Sequence, residues 1–202
     1  KPIPWKRGRL YMEKGTGFAL APPYFHGHDW PYLYPYSLPL YTENVIAVCT
    51  DKVLKNDRPN WPEDYKGLLI GNALGFDGYG GFAFRALVKS GEIFYDEEVG
   101  TKALVSAFLR GKFDCIMIDI KAYDSEINRL KFEHRDIDYI KTKKGSLIGI
   151  DHGYIGYSKA AREQGKYPFQ FDFMQKFDSI LYRMQKSGEI EQVVNNYFDN
   201  NF

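Results

Sequence analysis

Asp119 stands near the end of a short apolar segment, Phe113–Ile120, and a carboxylate so placed can accept hydrogen bonds from an ammonium group. The same oxygens would serve equally well to cap a turn, so two readings of this residue stand side by side. A second chemical feature is the glycine-crowded turn Asn72–Gly80, which includes Leu74, Gly75, Gly78 and Tyr79. Its backbone N–H groups, together with the start of the helix that follows, favour an anion. A purely structural turn would use the glycines only for their freedom to adopt positive φ. A third group is Pro23, Tyr24 and Phe25, with Trp30 close behind, where Tyr24 or Trp30 could stack on an apolar or planar ligand.

Other chemistries fit less well. His26-Gly-His28-Asp29 carries metal-ligating atoms, but a structural zinc site takes four ligands and no second cluster is visible, so no metal is expected. Asp114 and Asp119 are separated by an odd offset on one strand, which sends them to opposite faces and removes them as an acid–base couple. Neither an HExxH nor a GxSxG pattern occurs, and the chain reads as a non-enzyme. Gly78-Tyr-Gly80-Gly-Phe-Ala83 matches a dinucleotide pattern yet lies well past the end of its strand, so no cofactor is expected. Arg7 and Lys121 could meet an anion, although long cations mostly form solvated faces.

The elements that would position these groups alternate between strand and helix. Leu68–Asp119 reads as strand, glycine turn, helix, strand, helix, strand, the pattern of βαβ units and a parallel sheet. Ligands of open α/β sheets bind beyond the carboxyl ends of the strands, where both the turn and Asp119 fall. Upstream, Trp5–Lys14 reads as a helix stopped by Gly15 and Phe18–Ala21 as a short strand, while prolines 31, 35 and 39 make 24–39 loop-like. Tyr41–Thr50 is a strong strand candidate, Ala122–Leu130 a helix, and Leu147–Ser158 is extended. An amphipathic helix from Phe171 to Met184 and a last helix, Glu189–Phe198, close the chain.

The 202 residues suit one or two domains with a real core, and 27 basic side chains against 26 acidic ones leave no basic face for nucleic acid. No apolar run approaches a membrane span. The chain starts at Lys1, which suggests that something was removed upstream. Cys49 and Cys115 both fall in apolar strand-like segments and read as buried thiols, with a disulfide as the alternative in an oxidising compartment. Gly15-Thr-Gly-Phe-Ala-Leu-Ala-Pro-Pro23 loosely echoes Gly111-Lys-Phe-Asp-Cys-Ile-Met-Ile-Asp119, as two similar lobes would.

Taken in order, several motifs resemble the family 3 extracellular solute-binding proteins of the polar amino-acid ABC transporter type. They are Ile70-Gly71 through Gly78-Tyr-Gly80, Leu87 to Gly91, Gly111-Lys-Phe-Asp114 to Asp119, Gly153-Tyr-Ile-Gly-Tyr-Ser-Lys159, and Phe177-Asp-Ser-Ile-Leu181 to Tyr197. Pro4-Trp5-Lys-Arg7 and Ser37-Leu-Pro-Leu-Tyr41 fit as well. The resemblance implies an α/β, two-lobed type II periplasmic-binding-protein fold with two crossover strands, here Tyr41–Thr50 and Gly149–Ser158. It also implies lobe one as 1–45 plus 157–202 and lobe two as 46–156. The expected function is periplasmic: a small polar, amine-bearing solute held between the lobes by hinge closure and handed to an ABC permease. A sensory or interaction module with a decayed cleft, attached to a membrane sensor, is the alternative. By the same resemblance Asp119 matches an amine-binding aspartate.

Three departures shape these expectations. The family begins with a strand–helix–strand unit of about 30 or more residues ahead of the Pro4-Trp5 match, so lobe one reads as incomplete. A sheet needs more than the single strand at 18–21, which predicts either a fragment or a domain-swapped homodimer. The family's carboxylate-binding arginine has no counterpart in His26–Pro31, removing bidentate recognition of an α-carboxylate at that place. Phe18 stands where the family usually has an aspartate.

Overall fold

The computed structural model describes residue 3 and residues 5–27, 29–76, 79–133 and 140–199. The chain divides into two compact units, 1–43 with 151–197, and 44–150 with 198–202. It passes from one to the other inside two long strands, β3 (Tyr41–Thr50) and β7 (Thr142–Gly153).

The second unit is built on a five-stranded sheet in the order β5-β4-β6-β3-β7, with β4 at Leu69–Ala73, β5 at Phe94–Glu98 and β6 at Cys115–Asp119. Helices α2 (Gly81–Lys89) and α3 (Thr101–Leu109) make the crossovers, and α4 (Ile120–Glu133) follows β6. β4 pairs parallel with both β5 and β6, as the alternating pattern predicts, whereas β3 joins β6 antiparallel. All five residues of β6 are buried, which explains its unbroken apolar run before Asp119. Leu104, Val105, Phe108, Phe113 and Ile116 form the centre of the core.

Cys49 and Cys115 are joined in a disulfide, correcting the reading of two thiols. They face each other directly across β3 and β6. The Thr50 N–H donates to the Asp114 carbonyl at 3.0 Å, which makes 50/114 a hydrogen-bonded pair. The adjacent pair 49/115 is then non-hydrogen-bonded, the position where facing side chains come closest. Periodicity shows that two segments are strands but not their mutual register, so the pairing is not legible in the sequence.

In the first unit α1 (Trp5–Glu13) leads into β1 (Ala19–Leu20), and α5 (Lys159–Glu163), α6 (Gln170–Ser187) and α7 (Glu189–Asp199) follow the return of the chain. Its sheet has three strands in the order β1-β8-β2, with β2 at Leu33–Tyr36 and β8 at Gly156–Ser158. The count of one strand at 18–21 is therefore too low by two. β2 lies within the stretch read as loop-like because its prolines exclude regular helix. At a sheet edge, however, a missing N–H costs no ladder bond. The extended run 147–158 likewise divides into β7 and β8, which belong to different sheets.

Met12, Leu20, Trp30 and Leu33 make the first unit's core cluster. Phe18 packs among Tyr167, Phe169, Phe173 and Tyr157, with ring centroids 5.2 to 5.7 Å away. Phe18 is partly buried among these rings, and its own ring has a packing role there.

Candidate functional site

In the second unit, β4 and β6 are adjacent and parallel, with Ile70 opposite Cys115 and Gly71 opposite Ile116. Continuing that register sets Leu74 level with Asp119, so the glycine turn and the aspartate leave the same edge of the sheet. This is the carboxyl edge, where α/β sheets bind ligands.

Asp119 is 5 % exposed. One oxygen accepts the N–H groups of Lys121 and Ala122, each at 3.0 Å, capping α4. The other accepts the Asn44 N–H at 3.0 Å. The carboxylate thus ties β3, β6 and α4 together and does the capping work that one of its two readings assigned to it. Asp114 is a separate fixture, accepting the Leu69 N–H at 2.8 Å where β4 begins.

Asn72 is almost fully buried and organises the turn. Its Nδ2 donates to the Phe76 carbonyl at 3.0 Å and to the Tyr95 hydroxyl at 3.2 Å, and its Oδ1 accepts the Ala73 N–H at 2.9 Å. Within the turn, Leu74 donates its N–H to Glu98, Phe76 to Ala73 and Tyr79 to Phe76. With Ala73, four of the N–H groups expected to face an anion are therefore spent inside the protein. Gly80, the residue that precedes α2, makes no side-chain cap for the helix. Leu74 is exposed and Tyr79 buried at 6 %; Gly75 adopts φ +90°, and Gly78 lies outside the described residues.

Gly80 is the turn's tightest position. Its φ is +89°, and a Cβ there would stand 2.5 Å from Cδ1 of Phe84. Gly80→Ala should destabilise the second unit by about 2 kcal/mol or more, adding the cost of left-handed backbone to a clash with a buried ring. Urea unfolding measures it; a change below about 0.5 kcal/mol, the ordinary surface range, would show that α2 shifts freely.

In the first unit, β1 and β2 both run antiparallel to β8, with Leu20 and Tyr36 each opposite Gly156. The carboxyl ends of β1 and β2 therefore share an edge with the start of β8. Pro23 is buried, and its carbonyl accepts the Tyr154 N–H at 2.9 Å. The Tyr24 hydroxyl donates to Glu43. Phe25 is 64 % exposed, with the rings of Tyr36 and Tyr154 centred 5.0 and 6.4 Å away. Trp30 is spent on the core: His26 stacks on it at 3.4 Å and the Arg9 guanidinium lies 4.1 Å over it. Burial, and then Arg9, lowers the His26 pKa; His28 lies outside the described residues. Glu43, Tyr36 and Tyr154 escaped the sequence reading because they come from three separate segments and match no motif.

No family model and no curated protein matches the chain by sequence. Solved structures do match in fold. The amino-acid ABC transporter substrate-binding protein AbpA of Streptococcus pneumoniae, bound to L-arginine, aligns with TM-score 0.63 and 11% identity over 98% of this chain and 75% of its own. The amino-acid ABC transporter extracellular-binding protein ytmK of Bacillus subtilis, described as probable, gives 0.66 and 12% over 100% and 80%. A histidine kinase sensor domain similar to periplasmic binding proteins gives 0.63 and 11% over 95% and 74%. The fold is that of the type II periplasmic binding proteins, carried by a chain shorter than those it matches.

Proposed function

We propose that this protein is an extracytoplasmic binding protein for a small, polar, amine-bearing solute, which it delivers to an ABC permease. The observation that carries the reading is the shared carboxyl edge of β4 and β6, which sets the turn after Asn72 level with the buried carboxylate of Asp119. Pro23, Tyr24 and Phe25, at the carboxyl edge of the first unit's sheet, are proposed as solute contacts within that unit. The Cys49–Cys115 disulfide supports a location outside the cytosol, since such bonds persist in oxidising compartments. No helix among the described residues is long and apolar enough to cross a membrane.

A thermal-shift titration against amino acids, polyamines and small organic acids tests the proposal. A ligand at about a hundred times its Kd adds about 2.7 kcal/mol to stability. A saturable shift with one amine-bearing compound is expected, and silence across the panel would sink the reading. The fold likeness to a kinase sensor domain favours a second reading, a sensory module. That reading expects stabilisation by a protein partner instead of by any solute.

A further inference from the structure

A cavity of about 290 Å³ opens in the second unit, lined by α2, by β5 and by the turn after β4, and Asp119 takes no part in it. β5 is the outermost strand in the order β5-β4-β6-β3-β7, so the cavity lies at the rim of the sheet. Its floor is aromatic and firmly held. Phe84 is 2 % exposed, with Trp61 stacked 5.1 Å away and Tyr95 edge-on at 5.8 Å. Phe76 and Tyr79, centred 5.3 Å apart, add two more rings. Asn72 ties two of these walls together, since its Nδ2 donates both to the Phe76 carbonyl and to the Tyr95 hydroxyl.

The charged lining is one-sided. Arg85 and Lys89 stand one turn apart on α2, beside Phe84 and Val88 at the same spacing. Both cations are exposed, and neither is in an ion pair with a described residue. The Arg85 guanidinium lies 4.7 Å over the ring of Phe82. Among the described residues the lining carries one acid, Glu97, whose Oε1 accepts the Tyr95 hydroxyl at 2.7 Å. Two cations against one acid leave the mouth of the cavity positive.

Ligand pockets combine an apolar, aromatic lining with a few charged groups that fix orientation. This one falls at the small end of their usual range of about 300 to 1,000 Å³, which suits a single ring with a short tail. A ring placed there gains edge and offset contacts with the four aromatic side chains. An ammonium on that ring would meet Arg85 and Lys89, whereas a carboxylate gains charge-assisted hydrogen bonds from them.

We infer that this cavity is a binding site for a small aromatic monocarboxylate, its ring among Phe76, Tyr79, Phe84 and Tyr95 and its carboxylate at Arg85 and Lys89. The site is additional to the solute site proposed above and does not depend on it.

Calorimetric titration of the full chain with four compounds tests each part of the inference. Phenylacetate is compared with phenylacetamide, which lacks the charge, with 2-phenylethylamine, which reverses it, and with acetate, which lacks the ring. Phenylacetate should bind saturably, and the other three at least about tenfold more weakly. Replacing both cations, Arg85→Gln with Lys89→Gln, should weaken phenylacetate by about fivefold or more, as two exposed ion pairs would. High salt should shrink that difference. Val88→Phe fills the gap from α2 and should abolish binding. Thermal unfolding checks that this variant is folded; if it is not, the glutamine pair, changed only at exposed positions, still decides. The site is overturned if phenylacetate fails to bind at millimolar concentration or is matched by any of the other three compounds. It is equally overturned if a folded Val88→Phe chain, or the glutamine pair, binds phenylacetate as well as the wild type does.

Discussion

Replacing Cys49 and Cys115 together by alanine is expected to lower the unfolding temperature by about 8 to 16 °C. The bridge closes a loop with a sequence separation of 66 between the central strands β3 and β6. Chain-entropy arguments assign a loop of that length about 4 kcal/mol, and a chain of this size loses about 2 to 4 °C per kcal/mol. Both cysteines are fully buried, so the alanines also leave a small void in the sheet, which adds to the loss. Reductant should act slowly on the folded wild-type protein, because neither sulfur is exposed, and quickly once urea opens the second unit. Two measurements check this: thiol titration of the unfolded, unreduced protein, which should find none, and melting curves of wild type and variant. Two titratable thiols in protein secreted to an oxidising compartment, or a shift under about 2 °C, would remove the bridge as a structural element.

The part of the fold that was legible in the sequence is the part governed by local rules. Leu68–Asp119 carries its strands as short apolar runs and its helices as glycine-bounded periodic segments. The observed β4, α2, β5, α3 and β6 follow the same order, although β4 runs on to Ala73, past the break read at Gly71. Where a tertiary partner decides, the sequence falls silent. Pro35 sits in a strand because β2 is an edge, which no local pattern announces. The extended run 147–158 looks continuous, and only the pairing of Gly156–Ser158 with β1 and β2 shows that it serves two sheets. The disulfide needed a register. Phe18, conspicuous as a missing aspartate, is explained by four rings drawn from β8 and the segments around α6.

The candidate site divides along the same line. Asn72, Asp119 and the turn glycines could be picked out because strand ends and glycine clusters are local signals. Their bonding was not legible. Asn72 turned out to pin the turn itself, and much of the turn's N–H supply is consumed internally. The exposed Phe25 platform depends on Tyr36 and Tyr154, 11 and 129 residues further along the chain, and no spacing rule reaches that far.

Asp119 is where structure and proposed function can be pulled apart, and two substitutions there should behave differently. Asp119→Ala removes the acceptor for three backbone N–H groups, two heading α4 and one from Asn44 in β3. Losing a cap costs about 1 kcal/mol, and an orphaned buried donor costs about 1 to 3 kcal/mol. A total of about 2 to 4 kcal/mol of stability should go, whatever the protein binds. Asp119→Asn keeps an oxygen for Lys121 and Ala122 and turns an NH2 toward the Asn44 side, so its loss should be nearer 1 kcal/mol. If the carboxylate also takes an ammonium, the asparagine variant, still folded, should lose affinity for the amine by about ten- to a hundredfold, the worth of a charge-assisted hydrogen bond. Urea unfolding reports the first quantity and calorimetric titration the second. An asparagine variant that is barely destabilised and binds the amine normally would make Asp119 a structural cap alone.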